Sequence, residues 1–146
     1  MENGELINLT IDYSRTLEQT IADGNYSWRN SNIKNENFPI PQKMIGKKVD
    51  VVAKIFYFNR KIHFKTAIYE MKTAGYRPAN LMELLTLKIL LLKLQQLPIV
   101  ALGSVWSFRR HCQLCPNIGC SGQDLFLSFY EIEFDPYWHF LGIKNN

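Results

Sequence analysis

The sequence predicts an α+β fold: one domain, 1–146, with a mixed, mostly antiparallel sheet packed against two or three helices. Three observations carry this expectation. Short β-patterned runs outnumber helical ones, and they cluster after residue 97. Two helix starts carry reciprocal capping signals, at Thr16 with Gln19 and at Asn80 with Glu83. Finally, 47% of the 146 residues are hydrophobic and 21% charged, a balance that can fill one core and excludes a disordered chain.

The elements follow in order. Ile7, Leu9, Ile11 and Tyr13 alternate with Asn8, Thr10 and Asp12, the period of a half-buried strand. Thr16 caps a short helix in which Leu17 and Ile21 lie one turn apart, and Gly24 ends it. Residues 25–48 are rich in Asn, Lys and Pro with no sustained period. They form an irregular segment whose Tyr26, Trp28, Ile33 and Phe38 require burial. Residues 1–48 thus precede a main α+β core over 49–146. Val49 to Phe58 is strongly β, with Val49, Val51, Ala53, Ile55 and Tyr57 on one face. The period then changes: Phe64, Ala67, Ile68 and Met71 follow helical spacing up to a stop at Gly75. After Pro78, Asn80 opens a helix over 81–97 that is apolar nearly all round and therefore buried on several sides. Strands are expected over Pro98–Trp106, Asp124–Phe134 and Trp138–Lys144, the last following a tight turn at Asp135–Tyr137.

Charge is uneven. The net +4 conceals an acidic start, a block over 43–77 with nine Lys/Arg against two acids, and a neutral remainder. Such a block suits nucleic acid or an anionic surface, or simply the solvated face of a strand and a helix. The run at 84–102 is interrupted by Lys88, Lys93 and Pro98, so no membrane span is expected. The polar, acidic start has no apolar signal region and the cysteine count is odd, which together lead to the expectation of a cytoplasmic protein without disulfides.

All three cysteines fall in RRHCQLCPNIGC, residues 109–120. The spacing C-x2-C-x4-C allows Cys112 and Cys115 to form half of a zinc knuckle, with Cys120 as a third sulfur and His111, His139 or His63 as a fourth ligand. A redox C-x-x-C would open a helix, whereas Pro116, Asn117 and Gly119 favour a loop. The preferred reading is a surface loop with free thiols and no cofactor; the alternative is a zinc-stabilised module that binds nucleic acid through the basic block. Ser104 lacks a nucleophile elbow, and no phosphate-binding glycine loop exists. Glu131, Glu133 and Asp135 alternate along an expected strand and would be the working carboxylates of an enzyme or the ligands of a divalent ion.

GYRPANLMELL, PIVALGSVW, a loop-rich stretch and WHFLGIK occur in an order that resembles the C-terminal half of C-type-lectin-like domains of the formylglycine-generating and retroelement-diversified kind. The matching residues are Arg77, Pro78 and Glu83; Gly103, Ser104 and Trp106; and Phe140 to Lys144. The catalytic cysteine pair of the formylglycine-generating enzymes has no counterpart, so no activity is carried over. The resemblance implies a scaffold that presents a variable recognition face, with Arg109–Gln123 at its tip. TLEQTIADGNYSW and RPANLMELL are also similar to segments of small bacterial proteins of no known activity. The function expected is a non-enzymatic module binding a protein or other macromolecule through Trp106, Arg109 and Arg110 and an edge at Tyr137, Trp138 and His139.

Overall fold

The computed structural model describes residues 5–91 and 97–146. Its backbone is α+β, with three helices on a mixed, mostly antiparallel sheet. In chain order the elements are β1 (Leu6–Asp12), α1 (Leu17–Asp23), β2 (Trp28–Arg29), a single 3₁₀ turn (Gln42–Met44), β3 (Lys48–Tyr57), β4 (Ile62–His63), α2 (Phe64–Thr73), β5 (Tyr76–Pro78), α3 (Leu81–Leu90), β6 (Ile99–Val100), β7 (Trp106–Arg109), β8 (Cys112–Ile118), β9 (Asp124–Phe129), β10 (Glu133–Phe134) and β11 (His139–Lys144).

The main sheet runs β1-β3-β11-β6-β8-β9-β2, with β5 also on β11 and β7 also on β8; β4 and β10 form a separate small ladder. Alternation decides what each face buries. Ile7, Leu9 and Ile11 of β1 lie opposite Ala53, Val51 and Val49 of β3, and Ile55, Leu141 and Ile143 join the same cluster, which α1 and α3 cover with Leu17, Ile21, Leu84, Leu85 and Leu87. The intervening residues Phe56, Val100, Cys115 and Phe140 point the other way and meet Phe64, Ala67 and Met71 of α2. The sheet is therefore covered on both faces, which produces two clusters rather than one.

Both expected capping boxes form. Thr16 accepts from the Gln19 N–H while the Gln19 side chain accepts from the Thr16 N–H, and Asn80 and Glu83 do the same at α3. Gly75 takes φ +92° just past α2, as a helix stop requires. The irregular segment buries Ile33 and Phe38 in the first cluster, while Trp28 stays exposed.

Four expectations need correction. First, α3 ends at Leu90, where Leu91 leaves helical geometry; the rest of the expected helix falls mostly on residues 92–96, outside the described residues. Second, 98–106 is not one strand, because after Val100 the chain swings out and returns to the sheet only at Trp106. Third, most of 109–120 is not a surface loop: β7 and β8 form a hairpin closed by Arg110 and His111, and only the stretch after Ile118, with Cys120, leaves the strand. Pro116 is tolerated inside β8 because its carbonyl accepts from Ala101 N–H, so its missing donor would face the gap between β6 and β7. Fourth, 124–134 bends at Tyr130–Ile132 into two strands, so Glu131, Glu133 and Asp135 share no continuous strand face. Among the described residues no helix is long and apolar enough to cross a membrane.

Candidate functional site

The β7–β8 hairpin has a two-residue turn, with Arg109 paired to Cys112. His111 sits at φ +62°, the left-handed region, which turns the chain back without a glycine. Register places Trp106, Leu114 and Phe129 side by side across β7, β8 and β9. Paired residues share a face, so these three form an apolar row. Trp106 is anchored against the first core cluster. Phe108 stands edge-on to Trp106 at 5.3 Å, and the Arg109 guanidinium lies 5.2 Å over the Phe108 ring.

At the hairpin end of β8 and β9 opens a cleft of about 550 Å³ that shares Phe129 with this row; its walls also take in Ser107 and Gln113 from the opposite sheet face, together with Arg109, Arg110, His111, Glu131 and Ile132. Phe108 is 48% exposed and Phe129 60%. Among the described residues neither Arg109 nor Arg110 has an ion-pair partner, which leaves the cleft with two uncompensated cations facing one carboxylate. A larger hollow of about 860 Å³ lies over β1, β3 and the end of β11; in its lining Thr10 donates to Asp50 at 2.6 Å, and Arg77 is paired with Glu83, outside the hollow, at 2.7 Å. A third, of about 310 Å³, holds Ser104, whose oxygen accepts the Leu81 N–H at 2.7 Å and so serves the start of α3.

The remaining expected site residues lie elsewhere. Trp138 packs edge-on against Phe134 in the α2-side cluster, with Tyr137 stacked on it and exposed. His139 shares the side of β11 that carries Leu141 and stacks on Tyr57 at 4.5 Å; burial pushes its imidazole below the usual range. Trp106 and Trp138 therefore serve opposite faces of the sheet, and the hairpin cleft contains Arg109 and Arg110 but none of Tyr137, Trp138 or His139.

The cysteines are separated by the strand they occupy. Three positions apart in β8, Cys112 and Cys115 point to opposite faces. Cys115 is buried, which pushes its thiol up to about 12, and its sulfur contacts the Ser128 carbonyl. Cys120 lies exposed beyond the strand end. Among the described residues no group of three or more His, Cys, Asp or Glu converges as metal ligands would. The basic block is also dispersed. Lys47 and Lys48 stand at one end of β3 and Arg60 and Lys61 just past the other, Arg60 lies 3.8 Å from Glu70, and Lys54 lies over the Phe56 ring.

Sequence reasoning named the two arginines as binding residues and Glu131 only as one of three carboxylates of a different candidate site, and it did not place Phe129 or Glu131 beside the arginines. Only the β8–β9 register and the bend after Phe129 bring them to the cleft. Set beside protein-family models, curated proteins and solved structures, the chain matches none.

Proposed function

We propose that this chain is a non-enzymatic binding module that holds a protein or other macromolecular ligand at the β7–β8 hairpin and its cleft. One observation carries the reading: Arg109 and Arg110 stand without ion-pair partners among the described residues, in a cleft they share with the exposed ring of Phe129, with the exposed Phe108 ring under Arg109, at the end of a three-strand platform. Arginine and aromatic side chains are the groups from which interface hot spots are most often built. Here they are mounted on a hairpin, Arg109 and the two rings on its strands and their neighbour β9 and Arg110 in its tight turn, so little ordering entropy is lost on binding. The likeness to lectin-like scaffolds with a variable tip at Arg109–Gln123 supports the same reading, with a hairpin in place of the loop.

The test is affinity capture from extract of the source cells, followed by titration of each purified partner against wild type and the double variant Arg109→Ala/Arg110→Ala. A loss of about tenfold or more in affinity is expected, since each charge-assisted contact contributes roughly 1.5 kcal/mol or more. The thermal midpoint should stay unchanged. Equal affinity of wild type and variant for every partner overturns the proposal. Should the partner prove to be nucleic acid, a steep fall of affinity with salt that Lys47→Ala/Lys48→Ala removes would move the site to the basic block.

A further inference from the structure

The lane beside β9 is only partly filled. On one side β8 pairs along the whole strand, from Leu125 opposite Ile118 to Phe129 opposite Leu114. On the other, β2 reaches only Asp124 and Leu125. Backbone bonds fix which residues face which way. Gly119 N–H donates to Asp124 O and Tyr130 N–H to Gln113 O, toward β8; Ser27 N–H donates to Gln123 O and Asn30 N–H to Leu125 O, toward β2. Since successive residues of a strand alternate in this respect, Leu127 and Phe129 direct both N–H and C=O into the lane past the end of β2. Among the described residues nothing pairs with them there.

Natural sheet edges are commonly guarded by charges, proline, a bulge or a covering element. Leu125–Phe129 contains no charged residue and no proline, and its pairing with β8 is regular. Phe129, at the end of this edge, also lines the cleft that holds the two arginines without ion-pair partners among the described residues. From this juxtaposition we infer that the free edge of β9 receives an extended acidic peptide as an added strand. Its backbone bonds Leu127 and Phe129, its apolar residues flank Phe129 and so extend the Trp106–Leu114–Phe129 row by one strand, and its carboxylates meet Arg109 and Arg110. The inference rests on the binding-module reading and specifies the partner.

A peptide suits this edge better than a second copy of the chain. If two β9 edges paired antiparallel about Ser128, position 131 of one would lie opposite position 125 of the other. The second copy's β2, bonded at Asp124 and Leu125, would then occupy the lane where the first copy's chain bends at Tyr130–Ile132. A peptide brings no such strand. Charge completes the choice, because the cleft wall holds Arg109 and Arg110 against Glu131 alone.

The test is selection from a library of short random peptides on the purified full chain, followed by amide hydrogen exchange with the selected peptides bound. Enriched peptides should alternate apolar residues and carry Asp or Glu toward one end. Binding should slow exchange at Leu127 and Phe129. Alternate N-methylation of the peptide, which removes its donors without touching the protein, should weaken binding about tenfold or more, as should Arg109→Glu/Arg110→Glu. No enrichment, enrichment without acidic residues, or indifference to N-methylation overturns the inference. Protection at the hairpin with free exchange at Leu127 and Phe129 overturns strand addition yet leaves the binding-module reading standing. A concentration-dependent dimer that protects the same two amides would give the edge to a second copy and overturn the peptide.

Discussion

The Arg77–Glu83 pair at the start of α3 should respond very unequally to removal of its two members. The Glu83 side chain is 2% exposed and that of Arg77 is 46% exposed. The guanidinium approaches the carboxylate with two nitrogens, at 2.9 and 2.7 Å, and the same carboxylate accepts the Asn80 N–H at 2.8 Å. Replacing Glu83 by Gln keeps an oxygen for Asn80 and leaves Arg77 in contact with water; the loss is one charge-assisted interaction, about 1 kcal/mol. Replacing Arg77 by Ala leaves a buried carboxylate with Asn80 as its remaining partner, and about 3 kcal/mol is expected, the lower end for breaking a buried pair. The double variant should recover part of that loss, because no unpaired charge remains. Urea unfolding with an unchanged m-value reads all three, and the thermal midpoints should fall by about 3 °C for E83Q and about 10 °C for R77A. If E83Q costs as much as R77A, or if R77A/E83Q is no more stable than R77A, the desolvation reasoning is wrong.

Gly103→Ala should destabilise by about 2 kcal/mol or more in the same assay, because the added Cβ would lie 2.6 Å from the backbone carbonyls of Pro78 and Ala79, which have little room to yield; a neutral result would show that this crossing is looser than described. Ellman titration of the native protein should label Cys120 and Cys112 well before Cys115, whose thiol becomes accessible only on unfolding. Three rapidly reacting thiols would contradict the burial of β8, and joint protection of Cys112 and Cys120 with one bound zinc would restore the metal reading. The depressed imidazole of His139 means that the unfolded chain takes up this proton first as pH falls through the ordinary value of 6.5. Stability should therefore drop between pH 7 and 5, and His139→Phe should flatten that part of the profile; an unchanged slope would refute the assignment.

Local signals were the legible ones. Thr16 with Gln19 and Asn80 with Glu83 announce two helix starts, because a capping box is made by residues three apart and needs no tertiary partner. The alternation of Ile7, Leu9 and Ile11 likewise identifies both a strand and its buried side. Phe56 was not legible as a core residue, since the side it occupies is buried only when α2 docks there. The hairpin was hidden for a different reason. Its turn uses His111 at positive φ where Asn or Gly would have signalled it, and β8 carries a proline that only a gap in the neighbouring lane permits. Of the candidate site, Arg109 and Arg110 were readable as residue types. Their meeting with Phe129 and Glu131 depends on strand register, and the separation of Trp106 from Trp138 depends on the two-sided sheet.

The last strand of the sequence lies in the interior of the sheet. β11 stands between β3 on one side and β5 and β6 on the other, so neither half of the sheet has its neighbour until His139–Lys144 is in place. For a nascent polypeptide this imposes a wait. From the emergence of β1 to that of β11, at about 5–20 residues per second, on the order of ten seconds pass in which β3 has one partner and β6 lacks its parallel one. Contacts between such distant positions also close slowly. A polypeptide released early, short of β11, would expose Phe56, Ile55 and Val100 together along two bare edges, the kind of surface that chaperones and proteases recognise. Placing the latest of these strands in the middle thus makes the emergence of β11 the event that buries both edges.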